Sequence, residues 1–117
     1  MLPFVRRTRL GYKYNFPGAV VSFGEVRLDF ARMELARSGG WVRLTAREFK
    51  LLTFLLQNPN RVLSRKELLD AIWGGRTDPA TRTVDMHISK LRQKVEPDPA
   101  KPIHVRTVHC VGYKFVP

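Results

Sequence analysis

The stretch that decides the fold of this chain is TRTVDMHISKLRQKV, residues Thr81–Val95. Its apolar members recur every three or four residues, at Val84, Ile88, Leu91 and Val95. This spacing predicts a helix with one narrow buried stripe. At about 100° per residue, the opposite side of that helix carries Arg82, Met86, Ser89, Lys90 and Gln93. The segment is therefore predicted to be a surface helix with a cationic outer face.

The outer face of this predicted helix suits the major groove of DNA, which is about 12 Å wide and admits one helix. Arg82, at the helix start, can clamp a phosphate or reach guanine O6 and N7, and Lys90 can donate to guanine or to phosphate. Gln93 can pair with adenine, and Met86 can contact a thymine methyl. The flanking positions are mostly polar as well: Thr83, Asp85, His87, Arg92 and Lys94. Most helices of this pattern are only solvated surface helices, so the segment alone leaves that alternative open.

The charge of the whole chain favours a polyanionic partner. There are 21 Lys and Arg residues against 10 Asp and Glu, which gives a formal net charge of +11 on 117 residues. Nucleic acid is the commonest such partner, and an anionic membrane surface is the second. No apolar run approaches the roughly 20 residues of a spanning helix, and the first residues lack the apolar core of a signal peptide. With one cysteine, Cys110, and hence no internal disulfide, the chain is expected to be cytoplasmic.

The N-terminal part of the chain predicts a basic arm followed by a small sheet. Residues 1–18 are basic and show no sustained period, so we expect a linker or flexible arm there, and a single domain over residues 19–117. From Val21 onward, apolar and polar residues alternate in short runs, which is typical of strands. Ser-Gly-Gly at residues 38–40 predicts a tight turn, after which Trp41 begins a returning strand.

Two further helices are indicated by the same local chemistry. TARE at residues 45–48 and SRKE at residues 64–67 are both capping boxes, in which the hydroxyl and the Glu satisfy two free amides reciprocally. Asn-Pro-Asn at residues 58–60 stops the first helix, because Pro cannot continue it. Gly-Gly at residues 74–75 stops the second helix.

The C-terminal part predicts a β-hairpin over residues 103–116, in which Gly112 is expected to supply the positive φ of the turn. The element order is strands, three helices and a hairpin. We therefore predict the α+β fold class, with an N-terminal antiparallel sheet, three helices and a C-terminal β-hairpin wing, in the order of a winged helix-turn-helix.

Four blocks in the same order resemble the DNA-binding effector domain of OmpR/PhoB-type bacterial response regulators. They are LTAREFKLL, LSRKELLDAIWG, RTVDMHISKLRQK and TVHCVGYKF, and the resemblance covers about residues 23–115. It implies a four-stranded N-terminal sheet, a last helix that enters the major groove, and a wing that reaches the minor groove. It also implies transcription regulation within a two-component phosphorelay, with double-stranded DNA as the partner. A winged-helix module for protein interaction, without a specific DNA target, is the alternative.

The resemblance also implies roles for individual residues. Base contacts are expected from Arg82, Met86, Ser89 and Lys90, and Gln93 is added to them from its place on the same helix face. Phosphate contacts are expected from Arg65, Trp73, His87, Arg92, Thr107 and Tyr113, with the flanking Thr83 and Lys94 added to them. Trp73 precedes the end of its helix and is expected mainly to pack. RNA polymerase is the expected partner of the loop after the second helix: Gly75, Arg76, Thr77, Asp78, Pro79 and Ala80.

Two departures from the family pattern concern the interface. His109-Cys110 stands where relatives commonly have Arg-Gly, so the minor-groove arginine is absent and the wing is left with His109 and Lys114. A histidine, which titrates near pH 6.5, is a weaker and pH-dependent probe of that groove. Ser89 stands where a basic residue is frequent, so the base preference is expected to differ.

Other classes of function have little support in the sequence. No Gly-rich phosphate loop, HExxH or GxSxG is present, so neither enzymatic activity nor a cofactor is expected. The trio of His104, His109 and Cys110 has poor spacing for a metal site, and none is expected. The receiver domain of full-length relatives is absent from 117 residues. The isolated domain is expected to be monomeric in solution and tandem or dimeric on DNA.

Overall fold

The computed structural model describes residues 20–74 and 81–117. The arm predicted over residues 1–18 and the polymerase loop predicted over residues 75–80 lie outside the described residues. All elements below belong to the described part of the chain.

Four short strands form an antiparallel meander at the N-terminal side of the domain. They are β1 (Val20–Phe23), β2 (Val26–Asp29), β3 (Glu34–Arg37) and β4 (Gly40–Arg43), in the spatial order of the sequence. The register places Val21, Leu28, Leu35 and Val42 side by side across the four strands. The first three of these are fully buried, as the alternation predicted. On the sheet, Trp41 remains 58% exposed, with the Arg32 guanidinium 5.1 Å from its ring centroid.

The three predicted helices are confirmed: α1 (Ala46–Gln57), α2 (Arg65–Trp73) and α3 (Thr81–Val95). Both capping boxes are present. The Glu48 amide donates to Thr45 Oγ1 at 3.1 Å, and the Glu67 amide donates to Ser64 Oγ at 3.0 Å. Gly74 ends α2 with a left-handed φ of 70°. In α3 the whole predicted stripe is buried, at Val84, Ile88, Leu91 and Val95.

A second sheet of three strands combines a short strand from the middle of the chain with the C-terminal hairpin. It consists of β5 (Val62–Ser64), β6 (Val105–Val108) and β7 (Gly112–Phe115), in the order β5-β7-β6. The hairpin β6–β7 was predicted, although its strands occupy only part of residues 103–116. Sequence reasoning missed β5, which joins the chain between α1 and α2 to the C-terminal hairpin.

The prediction for Gly112 was wrong in its physical reason. The residue with positive φ in the hairpin turn is Cys110, at 65°, whereas Gly112 is the first residue of β7 and pairs with both Val108 and Ser64. A Cβ on Gly112 would lie 2.0 Å from the Leu63 carbonyl oxygen. Glycine is therefore needed there for the close approach of β5 to β7, and not for the turn.

A buried carboxylate organises the segment between α3 and the hairpin. Glu96 is fully buried, and its two oxygens accept the backbone amides of Ile103, His104 and Val105 at 2.6–3.1 Å. Several hydrogen bonds to one carboxylate offset the cost of burying it. Sequence reasoning missed this role of Glu96.

Candidate nucleic-acid interface

The outer face of α3, which we define as Arg82, Met86, Ser89, Lys90 and Gln93, is exposed along its whole length. Met86 alone is apolar in this set and is 57% exposed. The face lies opposite the stripe that packs into the core, because residues on the two sides differ by about half a turn. These five residues thus share one continuous exposed surface, which is polar except at Met86. Their contacts with bases remain predictions.

The C-terminal end of α3 is held by the N-terminal sheet and by α1. Arg37, in β3, donates from Nη2 to the Glu96 carbonyl at 2.7 Å and from Nη1 to the Gln93 and Lys94 carbonyls at 3.3 Å. A guanidinium at this end satisfies free carbonyls and suits the negative pole of the helix dipole. The contact fixes the orientation of α3 relative to the sheet.

Lys94 takes part in the same attachment. Its Nζ donates to Glu48 Oε1 at 2.5 Å and to the Arg43 carbonyl at 3.0 Å. Burial alone would raise the pKa of Glu48, but hydrogen bonds from Lys94 and from the Thr45 amide outweigh it and hold that pKa below its ordinary value. The ammonium of Lys94 is therefore engaged inside the protein, and a phosphate contact from it would have to compete with Glu48.

The flank of α3 near the hairpin carries a cluster of charged and phenolic groups. Asp85 Oδ1 accepts from Arg65 Nε at 2.8 Å and from the Tyr113 hydroxyl at 2.6 Å. Burial would raise the pKa of Asp85, but the hydrogen bonds from Tyr113 and Arg65 keep it below its ordinary value. Burial and the hydrogen bond to Asp85 raise the pKa of Tyr113. Arg65 and Tyr113 were both predicted to contact phosphate, and the structure adds Asp85 as their common partner.

Arg92 continues this flank toward the hairpin. Its Nε and Nη2 donate to the Val105 carbonyl at 3.0 and 2.7 Å, and Nη2 also donates to Thr107 Oγ1 at 2.8 Å. Its guanidinium carbon lies 5.5 Å from the Tyr113 ring centroid. Two predicted phosphate contacts, Arg92 and Thr107, are thus brought together beside the outer face of α3.

The other flank of α3 is formed by aromatic groups. Trp73 and His87 pack edge to face with ring centroids 5.0 Å apart. His87 Nδ1 lies 2.9 Å from the carbonyl of Thr83, a half-buried residue of the first turn. The Arg47 guanidinium lies 5.1 Å from the Trp73 ring centroid, so this exposed cation borders the flank. Sequence reasoning missed Arg47, because it lies at the start of α1 and only the tertiary contact brings it here.

The wing consists of β6, β7 and the turn between them. His109 and Cys110 are exposed in that turn, as the wing prediction requires. Lys114 lies opposite Arg106 in the β6–β7 register and opposite Val62 on β5. Arg106 is exposed and was not predicted as a site residue. Because directly paired residues share one face of a sheet, it adds a second cation beside Lys114.

The described part of the chain contains neither a cluster of metal ligands nor a membrane-spanning helix. Among residues 20–74 and 81–117, no three His, Cys, Asp or Glu side chains lie close enough to hold a metal ion. His104 is buried, and its Nδ1 lies 2.9 Å from the Val116 carbonyl. The helices in this part of the chain are too short or too polar to cross a membrane.

These elements define a winged helix-turn-helix domain. The pair α2–α3 is followed by a hairpin that contacts α3 through Arg92 and Tyr113, and an additional four-stranded sheet precedes it. A family profile described as "Transcriptional regulatory protein, C terminal" matches residues 39–115. The chain belongs to this family, the DNA-binding domains of OmpR/PhoB-type transcriptional regulators. The family is a class of DNA-binding regulators and not a class of enzymes.

The chain is similar to several characterised regulators over most of its length. It is 42% identical over 96 residues to the sensory transduction protein RegX3 of Mycobacterium tuberculosis, covering 82% of this chain and 42% of that protein. It is 40% identical over 111 residues to the DNA-binding response regulator MtrA of Mycolicibacterium smegmatis, covering 95% of this chain and 49% of that protein. The chain thus spans less than half the length of these relatives.

Solved structures show the same fold. The RstA DNA-binding domain of Klebsiella pneumoniae, in complex with the RstA box, superposes with a TM-score of 0.71 at 30% identity, covering 83% of this chain and 96% of that one. The DNA-binding domain of Escherichia coli CadC superposes with a TM-score of 0.73 at 35% identity, covering 84% and 92%. The predicted fold class and family are confirmed.

Proposed function

We propose that this chain binds specific sequences of double-stranded DNA with α3 in the major groove and the β6–β7 hairpin as a wing in the adjacent minor groove. The observation that carries the proposal is the outer face of α3. All five of its side chains are exposed, and four of them are hydrogen-bonding residues. Arginine, lysine, glutamine and serine at these positions match the donors and acceptors of base edges.

The flanks of α3 support this orientation by providing phosphate ligands on both sides. Arg65, Arg92 and Thr107 lie on the hairpin side, and Trp73, His87 and Thr83 lie on the other. Phosphate contacts fix the register of a protein on the duplex, whereas base contacts determine its sequence preference. In the wing, His109 and Lys114 are proposed to reach the minor groove. Residues 1–18 are proposed as a basic arm and residues 19–117 as the domain.

The similarity of this chain to known regulators extends the proposal to the whole protein. RstA is described in complex with its DNA box, and MtrA is named as a DNA-binding response regulator. By analogy, this chain is proposed to be the effector part of a cytoplasmic two-component regulator whose receiver domain lies outside these 117 residues. Residues 75–80 are proposed to contact RNA polymerase. The isolated domain is proposed to be a monomer that binds tandem sites on DNA.

The test begins with selection of duplexes from a random pool, followed by affinity measurements at several salt concentrations. Specific binding predicts a recovered motif and a slope of log K against log salt of about −0.9 per phosphate neutralised. Arg82→Ala should relax the motif at one position and weaken binding by about 1–3 kcal/mol. Lys50→Ala, which removes an exposed cation from α1, is the matched control and should leave the motif unchanged.

The alternative is a winged-helix module that binds proteins. A protein-docking helix should expose apolar anchors, but on the outer face of α3 Met86 is the one apolar residue. Failure to recover any motif, together with binding that does not depend on salt, would favour this alternative over DNA binding.

A further inference from the structure

Asp85 is the one acidic residue of α3, and it lies on the flank of the face proposed to meet DNA. A carboxylate near a phosphate is unfavourable, because both groups are negative. Its side chain is 42% exposed, so it is not sequestered in the core. The contacts of Asp85 with other residues should therefore explain why an acidic residue lies at this position.

A single oxygen of Asp85 joins three elements of the fold. Oδ1 accepts from Arg65 Nε, in the first turn of α2, at 2.8 Å and from the Tyr113 hydroxyl, in β7, at 2.6 Å. The Arg65 guanidinium carbon also lies 5.6 Å from the Tyr113 ring centroid. The guanidinium is thus held at its Nε by the carboxylate and lies over the Tyr113 ring.

The free part of the Arg65 guanidinium remains available to a ligand. Within the described residues its hydrogen bond to Asp85 is donated by Nε, its other side-chain partner is Tyr113, and the side chain is 34% exposed. A guanidinium is a planar fork, so a bond that fixes Nε also fixes the directions of the remaining N–H groups. Such a fork matches the oxygens of one phosphate in a bidentate contact.

We infer that Asp85 is a positioning residue for DNA binding, which holds the Arg65 fork ready for bidentate contact with one backbone phosphate. The inference rests on the proposed function and deepens it. Asp85 itself does not touch the DNA in this arrangement. Its cost in repulsion is offset by the geometry that it gives to Arg65, a residue whose side chain otherwise has many rotamers.

Tyr113 acts through Asp85 in the same arrangement. The phenol has one proton, and that proton is donated to Asp85 at 2.6 Å. A phosphate diester offers only acceptors, so the hydroxyl cannot donate to Asp85 and to a phosphate at the same time. Tyr113 is also only 5% exposed. It therefore supports Asp85 and the Arg65 ring contact instead of binding phosphate.

The test uses the fact that the charge of Asp85 and its positioning of Arg65 predict opposite changes in DNA affinity when Asp85 is removed. Asp85→Ala removes a negative charge, so a purely electrostatic effect would tighten DNA binding and would not make the salt dependence shallower. If Asp85 positions Arg65, affinity for a duplex selected with the parent chain should fall about tenfold, the size expected for one charge-assisted contact. The salt slope should become shallower by about 0.9, because one phosphate contact is lost. Glu25→Gln makes the same charge change in the exposed β1–β2 turn, and should bind as tightly as the parent or slightly more tightly.

A double-mutant cycle locates the effect. In an Arg65→Ala background, Asp85→Ala should change the affinity less than about twofold, since the residue acts through Arg65. Arg65→Lys keeps the charge but loses the planar fork, and should still bind several-fold more weakly than the parent. This variant keeps the proposal testable even if Asp85→Ala proves unstable in a thermal melt.

The outcomes separate the inference from the proposed function. If the parent chain shows neither a selected motif nor salt-dependent binding, the proposed function itself fails. If the parent binds but Asp85→Ala binds equally well or more tightly, or if its effect adds fully to that of Arg65→Ala, the positioning role of Asp85 is wrong. Parent-like affinity of Arg65→Lys would also overturn it.

Discussion

Replacing Gly112 with alanine is expected to destabilise the domain severely, because the new Cβ would collide with a neighbouring backbone. The Cβ would lie 2.0 Å from the Leu63 carbonyl oxygen and 2.9 Å from the Ser64 Cα. Ordinary contact begins near 3.4 Å, so the shortfall at the oxygen is 1.4 Å. The obstacle is backbone, and it can move aside only if β5 separates from β7.

The magnitude follows from this geometry. Overpacking costs about 1–3 kcal/mol when side chains can adjust, and occasionally more. Here the pairing of a strand must also loosen, at about 0.5–1.5 kcal/mol per hydrogen bond lost. We therefore expect a loss of about 3 kcal/mol or more, a large part of the 5–15 kcal/mol typical of a domain. The melting temperature should fall by about 12–24 °C, since 1 kcal/mol shifts a domain of this size by about 4–8 °C.

Two other glycines separate steric collision from backbone strain. Gly40→Ala has an ordinary φ and meets no described atom within 4 Å, so it should be neutral or stabilising by up to about 1 kcal/mol. Gly74→Ala also meets no described atom but has a φ of 70°, which should cost about 1–2 kcal/mol. Urea unfolding followed by circular dichroism gives all three values. A loss at Gly112 no larger than the loss at Gly74 would refute the collision.

Two further predictions concern charged groups. Arg37→Ala should lower the free energy of unfolding by about 1–3 kcal/mol, because the carbonyls at the end of α3 lose a charged donor. The control Arg27→Ala, in the neighbouring strand, should lower it by less than about 0.5 kcal/mol. Equal losses in the two variants would contradict the role of Arg37. The lowered pKa of Glu48 means that the unfolded chain takes up its proton at a higher pH than the folded one. The stability from this group is therefore present above its ordinary value near 4.5 and is lost as the pH falls below it. Urea unfolding at several pH values should show that the free energy of unfolding falls less steeply with acid in Glu48→Gln than in the parent chain. The same pH dependence in both proteins would rule this out.

The helices could be predicted from the sequence because their signals are local. The two capping boxes lie within four consecutive residues each, and the stripe of α3 repeats over a single segment. Such signals do not depend on the rest of the fold. For the same reason the outer face of α3 followed directly from helical periodicity. Its exposure in the structure agrees with that prediction.

The elements that sequence reasoning missed depend on distant partners. β5 has three residues, too few to show a period, and its partner β7 lies about fifty residues later. Gly112 is needed because of that same pairing, whereas the sequence shows only a glycine close to a turn. The roles of Asp85 and Glu96 also appear only when the chain brings their donors together. An isolated acidic residue in a sequence has no signal that distinguishes it from a surface charge.

The attachments of α3 limit how this domain can vary its DNA specificity. One end of the helix is tied to the N-terminal sheet by Arg37, and its hairpin side is tied by Asp85 and Arg92. None of these three residues belongs to the outer face of α3. A contact to a base edge depends on position within about 0.5 Å, which a helix held in several places can provide. Substitutions at Met86 or Ser89 should therefore change which bases are preferred while leaving the orientation of the helix intact. Loss of Arg37 should instead weaken binding to every sequence alike, because it moves the whole helix.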